Sequence, residues 1–118
     1  MKSSHHDDDY DLQNLLALDN YVYYLQGGKY WVKFEARKIE PTKHMPHGIK
    51  YSLTFHDKDN NRIVGYDNAH DCLPRRKNHR AKKIKWDHIH KKKRVYYYEF
   101  NSASQLIEDF WKTIENFL

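Results

Sequence analysis

The feature that most constrains the fold is a two-residue alternation of apolar and polar side chains in two segments, residues 30–37 and 49–56. Successive side chains of a β-strand point to opposite faces of a sheet, so this alternation places the apolar set on one face. One apolar and one polar face is typical of antiparallel strands that are covered on one side only. The apolar set comprises Tyr30, Val32, Phe34, Ala36, Ile49, Tyr51, Leu53 and Phe55.

Three further segments rich in β-branched and aromatic residues predict strands at 20–25, 62–66 and 95–100. Leucines near helical spacing in residues 10–18 predict a short N-terminal helix. The fold class expected is α+β, an antiparallel sheet of about five strands with a C-terminal amphipathic helix on one face. The 118 residues fit one domain, 1–118, in which we expect residues 1–9 to be flexible.

The C-terminal helix has the clearest signals for its start and its buried side. Ser102 is a favourable N-cap residue, and Gln105 stands at the position that completes a capping box. Large apolar residues then recur at helical spacing, and burying each of them contributes about 1.5–3 kcal/mol. We therefore predict that this helix packs on the sheet through Leu106, Ile107, Phe110, Trp111, Ile114, Phe117 and Leu118.

Positive charge is concentrated in one part of the chain, inside a long polar segment (67–94) that predicts a basic loop. Residues 75–94 carry a net charge of +10, whereas the other 98 residues carry −5. Such a segment suits a polyanion such as RNA, although a merely solvated loop is the alternative. The candidate nucleic-acid-binding residues are Arg75, Arg76, Lys77, Arg80, Lys82, Lys83, Lys85, Lys91, Lys92, Lys93 and Arg94.

Two short polar groups frame this loop, Asp67–His70 after one predicted strand and Asp87–His90 before the next. Consecutive strands usually pair, so an antiparallel hairpin would bring the two groups together at the base of the loop. Gly65, inside the strand that precedes the first group, indicates a bulge or the close approach of another group.

These residues are compatible with three kinds of site. A zinc ion could take His and carboxylate ligands, but no known metal spacing is present and the surrounding cations oppose it, so we expect neither metal nor cofactor. Metal-free ribonucleolytic cleavage needs a base, an acid and a cation, which histidine and Lys or Arg supply near neutral pH. Binding without catalysis is the third possibility, and the polar groups could also simply hold the loop backbone. The candidate catalytic residues are His88, His90, Asp67, Asn68, His70 and Asp87.

Four segments resemble the TumE-like family of toxins from prokaryotic type II toxin–antitoxin modules. They are HGIKYSLTFHD (47–57), RIVGYDNAH (62–70), WDHIH (86–90) and YYYEFNSASQLIEDFWKTIENFL (96–118). The resemblance lies in a strand ending in Tyr-Asp-Asn, a basic loop with His-x-His, a strand and a helix with Asp-Phe. It implies a growth-inhibiting toxin that is neutralised by a protein antitoxin, usually of helix-turn-helix type.

Together these observations predict a toxin that acts on RNA as a metal-independent endoribonuclease. In this prediction His88 and His90 form the acid–base pair, Asp67 and Asn68 orient them or bind substrate, and Arg94 holds phosphate with the lysines. The alternatives are a non-catalytic module that binds nucleic acid or ribosomes, and a basic surface that docks a protein. A single cysteine and the lack of a long apolar run favour the cytoplasm, and an oligomer is allowed.

Overall fold

The fold is a six-stranded antiparallel meander in a computed structural model that describes residues 11–43, 45–68, 87–91 and 94–118. Each strand pairs with the next along the chain, so the order in space equals the order in sequence. The strands are β1 (Tyr21–Leu25), β2 (Tyr30–Lys38), β3 (Ile49–Asp57), β4 (Arg62–Asp67), β5 (His88–Lys91) and β6 (Arg94–Tyr97). Residues 11–16 are helical (α1), Gln26–Gly28 form a 3-10 turn, and α2 spans Ala103–Glu115.

The α+β class and both helices are confirmed, but the expected five strands are wrong, since the described residues form six. The missed strand is β5, which lies inside the segment predicted as a loop and pairs with both β4 and β6. Its sequence, His-Ile-His-Lys, is four residues long with one apolar member, which is too little for an alternation to be recognised. Its strand conformation comes from hydrogen bonding to its neighbours.

The last strand is also shorter than predicted, because β6 ends at Tyr97 and the prediction extended to residue 100. The β5–β6 ladder ends with the pair His88 and Tyr97. Beyond it, the Tyr98 amide still donates to the Asp87 carbonyl at 2.9 Å. The partner of β4 is therefore β5, whereas the sequence suggested the final strand.

The two faces of the sheet differ sharply. On the helix face, β2, β3 and β4 direct apolar side chains into a core that α1 and α2 complete. We call the other side, which carries Lys33, Thr54, His88 and His90, the open face; both described helices lie on the helix face. Fully or almost fully buried members of the core are Leu15, Val32, Phe34, Ala36, Ile49, Tyr51, Leu53, Phe55, Val64, Tyr66, Ala103, Leu106, Phe110 and Ile114.

Helix α2 begins as predicted, with the Ser102 hydroxyl accepting a hydrogen bond from the Gln105 amide at 3.1 Å. The Gln105 side chain does not complete the capping box, because its amide nitrogen donates to Asp109 Oδ1 at 2.8 Å. The other carboxylate oxygen of Asp109 accepts from the Tyr98 hydroxyl at 2.7 Å, which ties the helix to the chain beyond β6. The Asp-Phe pair of α2 thus has a structural role.

Two remaining expectations concern Leu118 and the membrane. Leu118 is half exposed, so the apolar side of the helix ends before the chain does. In the part of the chain that the structure describes, no helix is long and apolar enough to cross a membrane.

Candidate active site on the open face

The register between β4 and β5 brings three of the predicted site residues together on the open face. Asp67 stands opposite His88, and Gly65 stands opposite His90. The side chains of His88 and His90 lie on the same side of their strand because they are two residues apart. The predicted meeting of the Asp67 and Asp87–His90 segments is therefore observed, through a strand that the sequence did not reveal.

The closest contact in this group joins Asp67 and His90. Nε2 of His90 lies 3.1 Å from Oδ2 of Asp67, within hydrogen-bond range. The side chain of His90 is 15 % exposed and that of Asp67 is 9 % exposed. A carboxylate that accepts from one imidazole nitrogen fixes the tautomer and the orientation of the ring. The other ring nitrogen of that neutral tautomer is the one that can accept a proton.

Burial lowers the pKa of His90 below its ordinary value, and the positive charge of Arg62 and the nearby His88 lower it further. The charge of Asp67 and its hydrogen bond act in the opposite direction, but they do not outweigh burial. His90 is therefore a neutral base at neutral pH. Neutral imidazole is the form that a general base requires.

Arg62 is a site residue that the sequence analysis missed. Its side chain lies over Gly65 on the open face, so that a Cβ added to Gly65 would meet Arg62 Cδ and Nη1 at 3.4 Å. Gly65 is the register partner of His90, which places the guanidinium beside the imidazole. The sequence signal was Gly65 itself, which indicated the close approach of another group. A bulge also lies in β4, two residues before Gly65, because the consecutive Phe55 and His56 of β3 face residues 64 and 62 of β4.

His88 is completely buried, although it shares the open face with His90. Its ring centroid is 6.3 Å from that of His90 and 5.8 Å from that of Tyr97, which is about half exposed. Of the two predicted histidines, His90 is the one with exposed surface. His90 is therefore the better placed to meet a substrate.

Asp87 lies on the opposite side of the sheet from the Asp67–His90 pair. It precedes His88, so the pleat directs it to the helix face. There its Oδ2 accepts a hydrogen bond from the Tyr51 hydroxyl at 2.7 Å. Burial raises the pKa of Asp87, and burial with the adjacent Asp87 charge raises that of Tyr51. The structure thus separates Asp87 from the site residues with which the sequence grouped it.

Asn68 is buried and bonded to the backbone of β3. Its Oδ1 accepts from the Tyr51 amide and its Nδ2 donates to the Ile49 carbonyl, both at 2.9 Å. The side chain therefore continues the β3–β4 ladder by one step past the end of β4. This contact holds the strand that presents Asp67.

Only two of the predicted nucleic-acid-binding residues fall within the described residues, and these are Lys91 and Arg94. They are register partners, and the pleat places them on the side of Val64, which belongs to the helix face. The Lys91 ammonium lies 5.6 Å from the centre of the Tyr96 ring. Their backbone positions direct them away from His90. Outside the described residues lie His70, Arg75, Arg76, Lys77, Arg80, Lys82, Lys83, Lys85, Lys92 and Lys93.

A cavity of about 330 Å³ lies beside β2 and β3, and Asp67 is not among the residues that line it. Open-face side chains of β2 and β3 line it, and one of them, Ser52, is the register partner of Asp67. The residues that line the cavity are Asp19, Asn20, Glu35, Ala36, Arg37, Lys50, Tyr51 and Ser52.

Within the described ranges, no three His, Cys, Asp or Glu side chains are grouped closely enough to hold a metal ion.

Comparison with known proteins supports the resemblance seen in the sequence. The family model described as Toxin TumE matches residues 4–118, which is nearly the whole chain and extends beyond the four resembling segments to the N-terminal part. No curated protein and no solved structure gives a match. With a match of this extent, the chain belongs to the TumE toxin family.

Proposed function

We propose that this toxin is an endoribonuclease whose site is the Asp67–His90 pair with Arg62 on the open face. The observation that carries the proposal is the 3.1 Å contact between His90 and Asp67 beside a guanidinium. A base, a group that orients it and a cation for phosphate are the parts that cleavage through the 2′-hydroxyl requires.

In the proposed reaction, neutral His90 takes the proton from a 2′-hydroxyl. The 2′ oxygen then attacks the adjacent phosphorus, the bond from phosphorus to the 5′ oxygen breaks, and a 2′,3′-cyclic phosphate forms. Arg62 stabilises the charge that develops on the phosphoryl oxygens, for which the planar guanidinium is well suited. Asp67 stabilises the imidazolium that His90 becomes.

The leaving 5′ oxygen takes up a proton from His88 or from water. The 6.3 Å separation of the two imidazole centroids suits a phosphate held between an acid and a base. The complete burial of His88 favours water as the donor. The pH–rate profile separates the two, because a second titrating group adds a falling limb at high pH, whereas water adds none.

The direct test is to incubate the purified chain with 5′-labelled RNA in excess EDTA. Cleavage that leaves 2′,3′-cyclic phosphate and 5′-hydroxyl ends is expected, and a substrate with 2′-O-methyl groups should stay intact. Cleavage that EDTA abolishes would contradict a metal-independent reaction. Cleavage of the 2′-O-methyl substrate would contradict attack by the 2′ oxygen.

Family membership supports a protein antitoxin as partner, and we propose that it docks on the β6 edge. Val95, Tyr96 and Tyr97 are each more than 40 % exposed on this edge strand, and β5 is its one neighbour in the sheet that the described residues form. An exposed, unpaired strand edge is a template for an added strand from another chain. Val95→Pro removes the backbone N–H that would donate to an added strand, so it should weaken antitoxin binding without abolishing RNA cleavage.

The helix-turn-helix type of the antitoxin and a cytoplasmic location stay predictions.

A further inference from the structure

The open face carries an aromatic pair that the proposed reaction does not use. The rings of Trp31 and His56 are stacked with centroids 4.0 Å apart and planes 5° apart. Burial lowers the pKa of His56, and the charge of Arg62 lowers it further, so the stack joins two uncharged rings at neutral pH. Trp31 on β2 and His56 on β3 are register partners, so the pair spans two central strands.

The pair belongs to a row of π and cationic side chains that crosses four strands. Tyr24 on β1 is the register partner of Trp31, and Arg62 on β4 is the partner of His56. His56 covers one face of the indole, so the opposite face lies on the side of Tyr24, which is 72 % exposed. Arg62 joins this row to His90 through Gly65.

Aromatic pairs on the other side of the sheet have an evident packing purpose. Phe34 contacts Phe110 of α2 edge to face at 5.6 Å, and Tyr66 contacts the same ring at 5.8 Å. These rings fill the space between sheet and helix. Trp31 and His56 lie on the face away from both described helices, so core packing does not account for them.

We propose that Trp31 and His56 form a stacking subsite for one unpaired base of the RNA that His90 cleaves; this rests on the proposed function. An unpaired base offers a flat π surface that stacks on an aromatic ring without regard to sequence. Tyr24 closes over the other side of the base, and Arg62, which contacts the cleaved phosphate in the proposed reaction, lies between this subsite and His90.

The spacing agrees with such a path. Trp31 and His90 are three strands and two residues apart, which corresponds to roughly 16 Å across the sheet. The stacked base would therefore lie a few nucleotides from the cleaved bond. The subsite would hold the strand in register without taking part in proton transfer.

Binding of an uncleavable probe tests the subsite separately from the reaction. The probe is a fluorescent single-stranded 2′-O-methyl hexanucleotide, together with six versions that each lack one base. With the unaltered chain, at least one abasic probe should bind about 5- to 150-fold more weakly than the complete probe. In Trp31→Leu the complete probe should lose a similar factor, and the abasic penalty at that position should disappear.

Three further variants keep the test independent of folding. Trp31→Phe retains a smaller ring and should lose less affinity than Trp31→Leu. Tyr24→Ala should weaken binding of the probe. Tyr21→Ala should leave probe binding unchanged, because this exposed tyrosine lies on the other face of β1. Thermal unfolding of each variant verifies that it is folded.

The outcomes are distinct. Unchanged probe affinity in folded Trp31→Leu, or an abasic penalty that persists in it, overturns the subsite even when RNA is cleaved. Loss of affinity through Trp31 in a chain that does not cleave 2′-hydroxyl RNA supports the subsite and contradicts the proposed ribonuclease. A chain that binds no probe at all counts against both.

Discussion

Two aspartates at the β4–β5 junction show how differently the two faces use the same residue type. Asp67 is the last residue of β4 and the register partner of His88. Asp87 directly precedes His88 in the chain. Asp67 lies on the open face against an imidazole that can move a proton. Asp87 lies on the helix face against a phenol whose pKa is raised well above its ordinary value. The Asp67–His90 pair suits proton transfer, and the Asp87–Tyr51 pair suits stability of the fold. The alternation of side chains along a strand decides on which face each aspartate lies.

The largest expected effect is on the open face. We expect His90→Ala to lower RNA cleavage by about 10²- to 10⁴-fold, the usual contribution of a general base. The side chain is only 15 % exposed and its removal takes a partner from Asp67, so the rate is compared per folded molecule. Initial rates on labelled RNA measure this, with His47→Ala as control because the His47 ring is tilted against that of Phe100, with centroids 4.4 Å apart, away from the site. Equal losses in the two variants would remove the distinction between the faces.

The helix face should respond in stability instead. Tyr51→Phe removes the hydroxyl that donates to Asp87 and leaves a half-buried carboxyl without that bond. A lost partner of this kind costs about 1–3 kcal/mol in the free energy of unfolding, measured by urea denaturation. The cleavage rate per folded molecule should stay the same. A fall in rate with unchanged stability would move the chemistry to the helix face.

A pH profile sharpens the account of the open face. Cleavage should fall as the pH drops through the lowered pKa of His90, because protonation removes the base. Removing the charge of Arg62 in Arg62→Gln should raise that pKa and move the acidic limb to higher pH. Asp67→Asn should move it to lower pH. Acidic limbs at the same pH in the unaltered chain, Arg62→Gln and Asp67→Asn would exclude His90 as the titrating base.

The same lowered pKa has a consequence for stability. Protonation of His90 favours the unfolded chain, whose imidazole titrates near 6.5. The stability contributed by its neutral form is therefore present above that value and is lost as the pH falls through the folded-state pKa. Urea denaturation of the unaltered chain and His90→Ala at pH 7 and 5 should show a smaller loss for the variant.

The smallest expected effect comes from Gly65→Ala. The added Cβ would contact Arg62 Cδ and Nη1 at 3.4 Å and shift the guanidinium slightly. We expect the free energy of unfolding to change by less than about 1 kcal/mol. The acidic limb should move in the same direction as in Arg62→Gln, but less. A shift in the opposite direction would contradict the placement of Arg62 beside His90.

The sequence predicted the parts of the fold that have a long repeated pattern. The alternation in β2 and β3 and the apolar side of α2 are dictated by burial, which acts on many residues at once. Strand β5 was not predicted because four residues with one apolar member carry no recognisable pattern. Its strand conformation depends on pairing with β4 and β6. Hydrogen bonding to neighbouring strands is a tertiary effect that local propensity does not contain.

For the candidate site, the residue types were predictable and their grouping was not. Asp67, Asp87 and His90 were identified from their chemistry, but their distribution between the two faces depends on the β4–β5 register. Arg62 lies outside segment 75–94, in which the positive charge is concentrated. The sequence signal for its position was Gly65, which indicated the close approach of another group. The alternation of residues 30–37 places Trp31 on the polar side of its strand, but the sequence does not distinguish a stacking role from a surface aromatic.

The most direct measurement compares Asp67→Asn with Asp87→Asn in RNA cleavage under identical conditions. Both changes remove a carboxylate and keep its size, so they differ in which face loses the charge. We predict that Asp67→Asn lowers the initial rate by about 10- to 10⁴-fold, because His90 loses the group that orients it and stabilises its charged form. Asp87→Asn should cleave at the rate of the unaltered chain. Equal rates in the two variants, or a larger loss in Asp87→Asn, would contradict the assignment of catalysis to the open face.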